Sequence, residues 1–181
     1  MKNLRLTLKA WPVIFLITVT LSYATQALAK AFGMDLPEQA NIELVRRYAG
    51  WNTVFVLLVL QIVVILPVLE ELLFRWCLWR APLLCLRRHG TAVAMGIAVL
   101  SSCVFSFAHY VEYAACIKDG SFVLRALDNA FIALFFFGFA ECWLYRRTGR
   151  LWVPMLNHAL FNLTNLVLRW MRASRDGRCK R

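Results

Sequence analysis

The chain has 181 residues, of which 61% are hydrophobic, and it carries a formal net charge of +11. A soluble domain is usually nearer half apolar, and the mean hydropathy of +0.60 therefore excludes an ordinary soluble protein. The apolar residues fall in long blocks, and most basic residues sit at the block edges. This arrangement indicates several membrane spans whose cations contact lipid headgroups, and it does not indicate binding to nucleic acid.

The first apolar block runs from Trp11 to Ala29 and follows three basic residues. Its Ala-Leu-Ala ending resembles a signal-peptidase site, so a cleaved signal is one interpretation. The block is long enough to cross the membrane, and we therefore favour a retained helix. Residues 30–50 are mixed and charged, which predicts a loop with an interfacial helix.

Four further blocks follow, and the first of them runs directly into charged residues. The block Trp51–Leu69 continues its helical pattern to about Leu86, and Pro67 is expected to kink it. The remaining blocks are Thr91–Val111, Ser121–Tyr145 and Leu151–Trp170, followed by a basic tail. We predict an all-α, polytopic membrane helical bundle of about five to six spans.

The predicted organisation has three parts. These are an amino-terminal span with its interfacial segment in residues 1–50, the main membrane domain in residues 51–170, and a basic tail in residues 171–181. The positive-inside rule places the amino terminus and the loops at 80–88 and 146–150 in the cytoplasm. Five spans would put the basic tail on the other side, against the same rule, so the orientation stays open.

Six cysteines occur, and no two of them form a CxxC pair. Several lie within apolar blocks, where a free thiol packs as a small apolar side chain. We therefore expect free thiols, and neither a disulfide framework nor a thiolate metal site. The six are Cys77, Cys85, Cys103, Cys116, Cys142 and Cys179.

The second block ends in the sequence EELLFR, residues 70–75, and a charge inside a membrane helix costs about 3 kcal/mol on insertion scales. Glu71 and Arg75 are four residues apart and share a helix face, so we expect them to pair. Glu70 points about 100° away and lacks this partner. A free carboxylate in a low-dielectric site suits a general base. The alternative is that both acids are solvated at a membrane edge.

Two more polar motifs occur in apolar blocks. Phe105 and His109 are four residues apart, so we expect the ring to pack against the imidazole. Alone, such a histidine is more often an interfacial or core residue than a catalyst. His158 and Asn162 also share one helix face, where polar side chains can simply hold two membrane helices together.

The three motifs together carry more weight than each alone. A carboxylate, two imidazoles and a carboxamide from three helices can converge between those helices. Such a set can activate water and stabilise an oxyanion, or it can bind a metal ion.

In this order the motifs resemble the signature of the CPBP family, the CAAX protease and bacteriocin-processing enzymes, also called the ABI family of intramembrane peptidases. Its pattern is EExxxR, then FxxxH, then HxxxN on successive helices, here residues 70–75, 105–109 and 158–162. The segment before the last motif, LYRRTGRLWVP in residues 144–154, is also similar. The resemblance covers about residues 60–165.

This resemblance implies an all-helical membrane fold with a conical cavity open to one side. It implies that the first acid of EExxxR and the histidine of FxxxH activate the attacking water. The histidine and asparagine of HxxxN are then expected to stabilise the oxyanion. The expected catalytic residues are Glu70, His109, His158 and Asn162, and the expected supporting residues are Glu71, Arg75 and Phe105.

The chain departs from the family pattern in two respects. It is shorter than the eight-span members that process prenylated proteins, which argues against a prenyl-protein substrate. It also carries three further acids, Glu112, Asp128 and Glu141, in or beside the third and fourth blocks. For these acids we expect local pairing with arginine or loop contacts.

The leading hypothesis is an intramembrane endopeptidase of a bacterial plasma membrane, acting on a membrane protein or on a lipidated or anchored peptide. No serine or cysteine stands beside a base in a nucleophile arrangement, so we expect glutamate-activated water, no covalent intermediate and no cofactor. A zinc-dependent variant would use Glu70, His109 and His158, although no HExxH motif is present. The alternatives are a non-catalytic scaffold or immunity protein, and a transporter subunit whose buried acids form an ion path.

Overall fold

The structure is a computed structural model of the chain, and it describes residues 2–33, 53–86, 90–114 and 129–176. Within these ranges the regular structure is helical throughout, so the predicted all-α bundle is confirmed. The helices are α1 (Lys2–Ala31), α2 (Thr53–Cys85), α3 (Thr91–Ala114), α4 (Asn129–Thr148) and α5 (Trp152–Asp176). The predicted interfacial segment, the first part of the fourth block and the end of the basic tail lie outside the described residues.

Three of these helices are long and apolar enough to cross a membrane by length and composition, over Lys2–Leu28, Thr53–Cys85 and Thr91–His109. Helices α4 and α5 pack in the same bundle, but their sequences include Glu141 and the polar residues of HxxxN. The described part of the chain therefore holds helices in all five predicted blocks, and three of them meet the criterion for a span.

The amino terminus and two interhelical connections lie at the same end of the bundle. Leu6 and Ala10 in the first half of α1 pack against a buried cluster that contains Leu144 and Val153, on either side of the α4–α5 connection. Trp79 near the end of α2 and Ala94 at the start of α3 share another cluster with Tyr145 near the end of α4. We call this end the basic end, and its described cations are Lys2, Arg5, Lys9, Arg80, Arg146, Arg147 and Arg150.

A glycine makes the turn between α4 and α5. Gly149 adopts a left-handed backbone conformation, with φ of 63°, and its N–H donates to the Tyr145 carbonyl at 2.7 Å. This conformation ends helices and favours glycine, which has no Cβ to clash. Pro154 lies in the first turn of α5, where a missing N–H costs no intrahelical hydrogen bond. The motif HxxxN therefore begins nearly two turns inside α5.

Helix α2 contains two π-helical stretches, Gln61–Ile65 and Leu72–Arg80, on either side of the glutamate pair. In the first stretch the N–H of Leu66 donates to the carbonyl of Gln61, one residue beyond the α-helical partner. Residue 67 is proline and has no N–H. The carbonyl of Ile62 is therefore left without its backbone donor in either helical register. The helix continues through the predicted kink site, and π-turns of this kind are frequent at functional sites.

Helices α3 and α4 approach each other closely at a glycine. A Cβ added to Gly138 would lie 3.2 Å from Cδ1 of Phe105 and 3.4 Å from Cα of Ser102. The Phe105 side chain is fully buried there, in one cluster with Phe74 and Phe137. Because Phe105 belongs to the FxxxH motif, the close packing of α3 against α4 sets the position of that motif.

The four described cysteines, Cys77, Cys85, Cys103 and Cys142, are free thiols, as predicted. Cys116 and Cys179 lie outside the described residues, as does Asp128, and the side chain of Glu112 is not described either.

Candidate active site

Three helices bring the polar motifs together inside the bundle. Glu70 lies near the middle of α2, in the α-helical segment Leu66–Glu71 that separates the two π-helical stretches. His109 lies near the end of α3, and His158 lies nearly two turns into α5. These residues are far apart in sequence, and only the crossing of the three helices places them in one site.

One carboxylate oxygen lies between two imidazole rings. Oε2 of Glu70 is 3.7 Å from Nε2 of His109 and 3.6 Å from Nε2 of His158. Both separations exceed a normal hydrogen bond but are within the reach of one bridging water. This oxygen is buried and has no hydrogen-bond partner among the described residues, although 23% of the Glu70 side chain is exposed.

The second glutamate holds one of the two histidines. Oε1 of Glu71 accepts a hydrogen bond of 2.9 Å from Nδ1 of His158, and its Oε2 lies 3.0 Å from Nε of Arg75. The side chains of Glu71 and Arg75 are both fully buried, so the expected pairing of these two residues is present. Because Glu71 is the acceptor, Nδ1 of His158 carries the proton and Nε2 faces Glu70.

The other histidine is oriented by its own helix. Nδ1 of His109 lies 2.9 Å from the carbonyl oxygen of Phe105, which can only accept, so Nδ1 is the protonated nitrogen. The Phe105 ring packs against the imidazole as expected, with ring centroids 4.6 Å apart. In the neutral ring, Nε2 of His109 is therefore a free acceptor directed at Glu70. About 28% of the His109 side chain is exposed, so this histidine is the accessible member of the site.

Phe105 also contacts the buried arginine. Cζ of Arg75 lies 4.5 Å from the centroid of the Phe105 ring, which is a cation–π distance. The terminal nitrogens Nη1 and Nη2 have no hydrogen-bond partner among the described residues. The aromatic face therefore contributes to stabilising this guanidinium, together with the Glu71 carboxylate. One ring thus links the glutamate–arginine pair to the accessible histidine.

Asn162 forms a hydrogen bond to a backbone carbonyl of α2. Its Nδ2 donates a hydrogen bond of 2.9 Å to the oxygen of Ile62, the carbonyl that Pro67 leaves without a backbone donor. A carboxamide nitrogen carries two hydrogens, so this bond uses one of them. The bond joins α5 to α2, and it places Asn162 one turn beyond His158 on the same face of α5.

The structure adds three residues to this neighbourhood that were not expected there. Nδ2 of Asn157 donates to Oε1 of Glu141, and both side chains are fully buried. The expected pairing of Glu141 with an arginine is not found among the described residues, where its partner is the Asn157 amide and its Oε2 has no hydrogen-bond partner. Phe137 packs edge-on against His158, with ring centroids 4.9 Å apart.

Of these three residues, only Glu141 could have been placed near polar groups from the sequence. Glu141 is an acid in an apolar block, and the cost of burying it predicts a polar partner. Asn157 and Phe137 carried no such signal, because neither side chain is ionisable and Phe137 stands in a run of three phenylalanines.

The middle part of the chain matches a known protein family. The family model described as type II CAAX prenyl endopeptidase Rce1-like matches residues 51–164, more than half of the 181 residues. This range contains all three motifs and every residue of the site. No curated protein and no solved structure is significantly similar to the chain. The chain therefore belongs to the Rce1-like family of type II CAAX prenyl endopeptidases, which are intramembrane proteases.

Proposed function

We propose that this chain is an intramembrane endopeptidase that hydrolyses a membrane-proximal peptide bond with water activated by Glu70. The observation that carries the proposal is the position of Oε2 of Glu70 between the Nε2 atoms of His109 and His158, at 3.7 and 3.6 Å. A carboxylate beside two imidazoles can supply the general base and the hydrogen-bonding groups for peptide hydrolysis without a covalent intermediate.

The first step is removal of a proton from water. Glu70 takes this proton while the lone pair of His109 Nε2 holds and orients the same water, and the oxygen attacks the scissile carbonyl. The C–N bond then breaks, and the proton held by Glu70 passes to the leaving amine. Atoms and charge balance with water as the only co-reactant, so no nucleophilic side chain is needed.

The negative charge that develops on the carbonyl oxygen needs hydrogen-bond donors. His158 can donate from Nε2 only when it carries protons on both nitrogens, because Nδ1 is bonded to Glu71. The second hydrogen on Nδ2 of Asn162 is the other proposed donor. The buried glutamate–arginine pair would then act on the reaction through His158, by holding its ring in place.

The proposed substrate is a peptide that reaches this depth of the membrane, such as the carboxyl-terminal anchor of an exported protein. Glu70 lies near the midpoint of a helix long enough to cross the bilayer, so the scissile bond must enter the membrane or lie at its edge. We propose the bacterial plasma membrane as the location.

The test compares the membrane proteins of cells that express the active chain with those of cells that express Glu70→Gln or His109→Ala. We expect terminal fragments, detected by mass spectrometry, only with the active chain. Cys77→Ala is a matched control, because Cys77 lies on α2 and is an exposed free thiol. Fragments of equal abundance with Glu70→Gln would refute the assignment of Glu70 as the base.

The same experiment separates the two non-proteolytic alternatives. A scaffold or immunity protein would produce no fragment with any variant while its partner binding survived Glu70→Gln. A transporter subunit would produce no fragment but would show an ion conductance or uptake that is lost in Glu70→Gln.

A zinc-dependent reaction is the second candidate, because both Nε2 atoms face the same Glu70 oxygen. Glu70, His109 and His158 would hold the ion, which would supply a water of lowered pKa. Among the described residues, however, no group of three His, Cys, Asp or Glu side chains is spaced to hold a metal ion. We expect substoichiometric zinc in the purified protein and cleavage that survives a chelator. Stoichiometric zinc with loss of cleavage on chelation would favour the zinc-dependent reaction.

A further inference from the structure

A cavity lies at the basic end of the bundle, at the opposite end of α3 from His109. Its volume is about 300 Å³, which is at the lower limit of typical small-molecule sites. It is enclosed by the end of α2, the start of α3 and the end of α4. The lining residues that matter here are Trp79, Arg80, Thr91, Tyr145, Arg146 and Gly149.

The two arginines of this cavity have no counter-charge among the described residues. Arg80 and Arg146 are both exposed, and neither forms an ion pair in the part of the chain that the structure describes. The sequence contains no Asp or Glu between Glu71 and Glu112, or between Glu141 and Asp176. The two guanidinium groups are therefore available to an anion from outside the protein.

The donors of the cavity suit a phosphate group. A guanidinium presents planar N–H donors that match two phosphate oxygens at once. The first turn of α3 begins at Thr91 and adds N–H groups without intrahelical acceptors. The indole N–H of Trp79 already donates to the carbonyl of Ala94 at 3.2 Å, so Trp79 forms a wall of the cavity. Its ring packs against Tyr145, with ring centroids 5.5 Å apart.

The surroundings of the cavity favour a lipid over a free anion. Leu84 and Val93, next to the lining residues in α2 and α3, are exposed and belong to helices long enough to cross the membrane. Acyl chains can lie against these side chains while a headgroup occupies the cavity. Trp79 and Tyr145 are residue types that concentrate at the level of lipid headgroups.

We propose that this cavity binds the phosphate headgroup of an anionic phospholipid, between the guanidinium groups of Arg80 and Arg146. Basic pockets between membrane helices bind headgroups in this way. The site is separate from the glutamate and histidines of the proposed active site, so the proposal does not depend on proteolysis.

The test is native mass spectrometry of the full chain in detergent, with added phosphatidylglycerol or phosphatidylcholine. We expect one phosphatidylglycerol molecule to remain bound, and phosphatidylcholine to be lost. Arg80→Gln with Arg146→Gln should weaken phosphatidylglycerol binding about 25-fold, since each arginine near an anionic headgroup contributes roughly fivefold. The matched control is Arg147→Gln with Arg150→Gln, which removes the same charge from the same end but outside the cavity.

Each outcome of this experiment is informative. Equal retention of the two lipids, or equal weakening by the cavity pair and the control pair, would overturn the proposal in favour of diffuse attraction. Displacement of phosphatidylglycerol by millimolar inorganic phosphate would show that the cavity takes a free anion. If the double cavity variant does not fold, the two single variants, each expected to weaken binding about fivefold, serve the same purpose.

Discussion

Replacing each of the two adjacent glutamates of this site by glutamine is expected to affect different properties, cleavage for Glu70 and stability for Glu71. The Glu70 side chain is 23% exposed, and its Oε2 forms no hydrogen bond within the described residues. Glu71 is fully buried, pairs with Arg75 and accepts a hydrogen bond from His158. We therefore expect the first acid to matter for cleavage and the second for stability, although they are one residue apart.

The magnitudes follow from what each replacement leaves behind. Glu71→Gln leaves the Arg75 charge fully buried without its counter-charge, and breaking a buried pair in this way costs about 3–5 kcal/mol. For a chain of this length this corresponds to a melting temperature lower by roughly 10 °C. Glu70→Gln removes no partner, and we expect it to cost less than about 1 kcal/mol of stability while abolishing cleavage.

The assay combines thermal unfolding of the purified variants in detergent with cleavage of the substrate identified by the fragment comparison. A double variant sharpens the test, because Arg75→Met in the Glu71→Gln background removes the uncompensated charge. We expect this double variant to regain part of the lost stability, which is a non-additive result. Equal melting temperatures for Glu70→Gln and Glu71→Gln would refute the reasoning, as would full cleavage by Glu70→Gln.

Three further predictions concern the packing of α3 against α4, the hydrogen bond between α5 and α2, and the retention of α1. Gly138→Ala places a Cβ 3.2 Å from a buried phenylalanine ring, so it should lower both the melting temperature and cleavage. In the control Gly96→Ala the added Cβ meets nothing within 4 Å, so neither quantity should fall. Equal effects of the two variants would contradict the steric argument. Asn162→Ala should cost about 1–2 kcal/mol, and adding Pro67→Ala should recover part of it by restoring a backbone donor, as measured in a double-mutant cycle of unfolding. Helix α1 contributes to the buried core, so the membrane-bound protein should retain residues 1–31 by intact mass, and a mass lacking them would show a cleaved signal.

The site residues could be chosen from the sequence because two kinds of local information identify them. A charge or imidazole inside an apolar block is costly in a membrane, so Glu70, Glu71 and His158 stand out without a structure. Helical periodicity then predicts which neighbours share a face, and it correctly paired Glu71 with Arg75 and Phe105 with His109. Neither inference needs any knowledge of how the helices cross.

Contacts between distant helices could not be derived in the same way. The bond from His158 to Glu71 joins residues 87 apart, and the bond from Asn162 to the Ile62 carbonyl joins residues 100 apart. The second bond also depends on a π-turn before Pro67, which the sequence suggested only as a kink. The burial of Glu141 with Asn157 likewise required α4 and α5 to be placed side by side.

The amino-acid sequence is sufficient to show that this chain is a helical membrane protein, which motifs carry its polar side chains, and which residues pair within a helix. These properties depend on hydrophobicity and on a repeat of 3.6 residues, and both act over a few turns of chain. The position of one Glu70 oxygen between two histidines, and the contact by which Glu71 orients one of them, became visible only in the packed helices. Those distances depend on how bulky and small side chains, such as Phe105 and Gly138, allow three helices to approach one another.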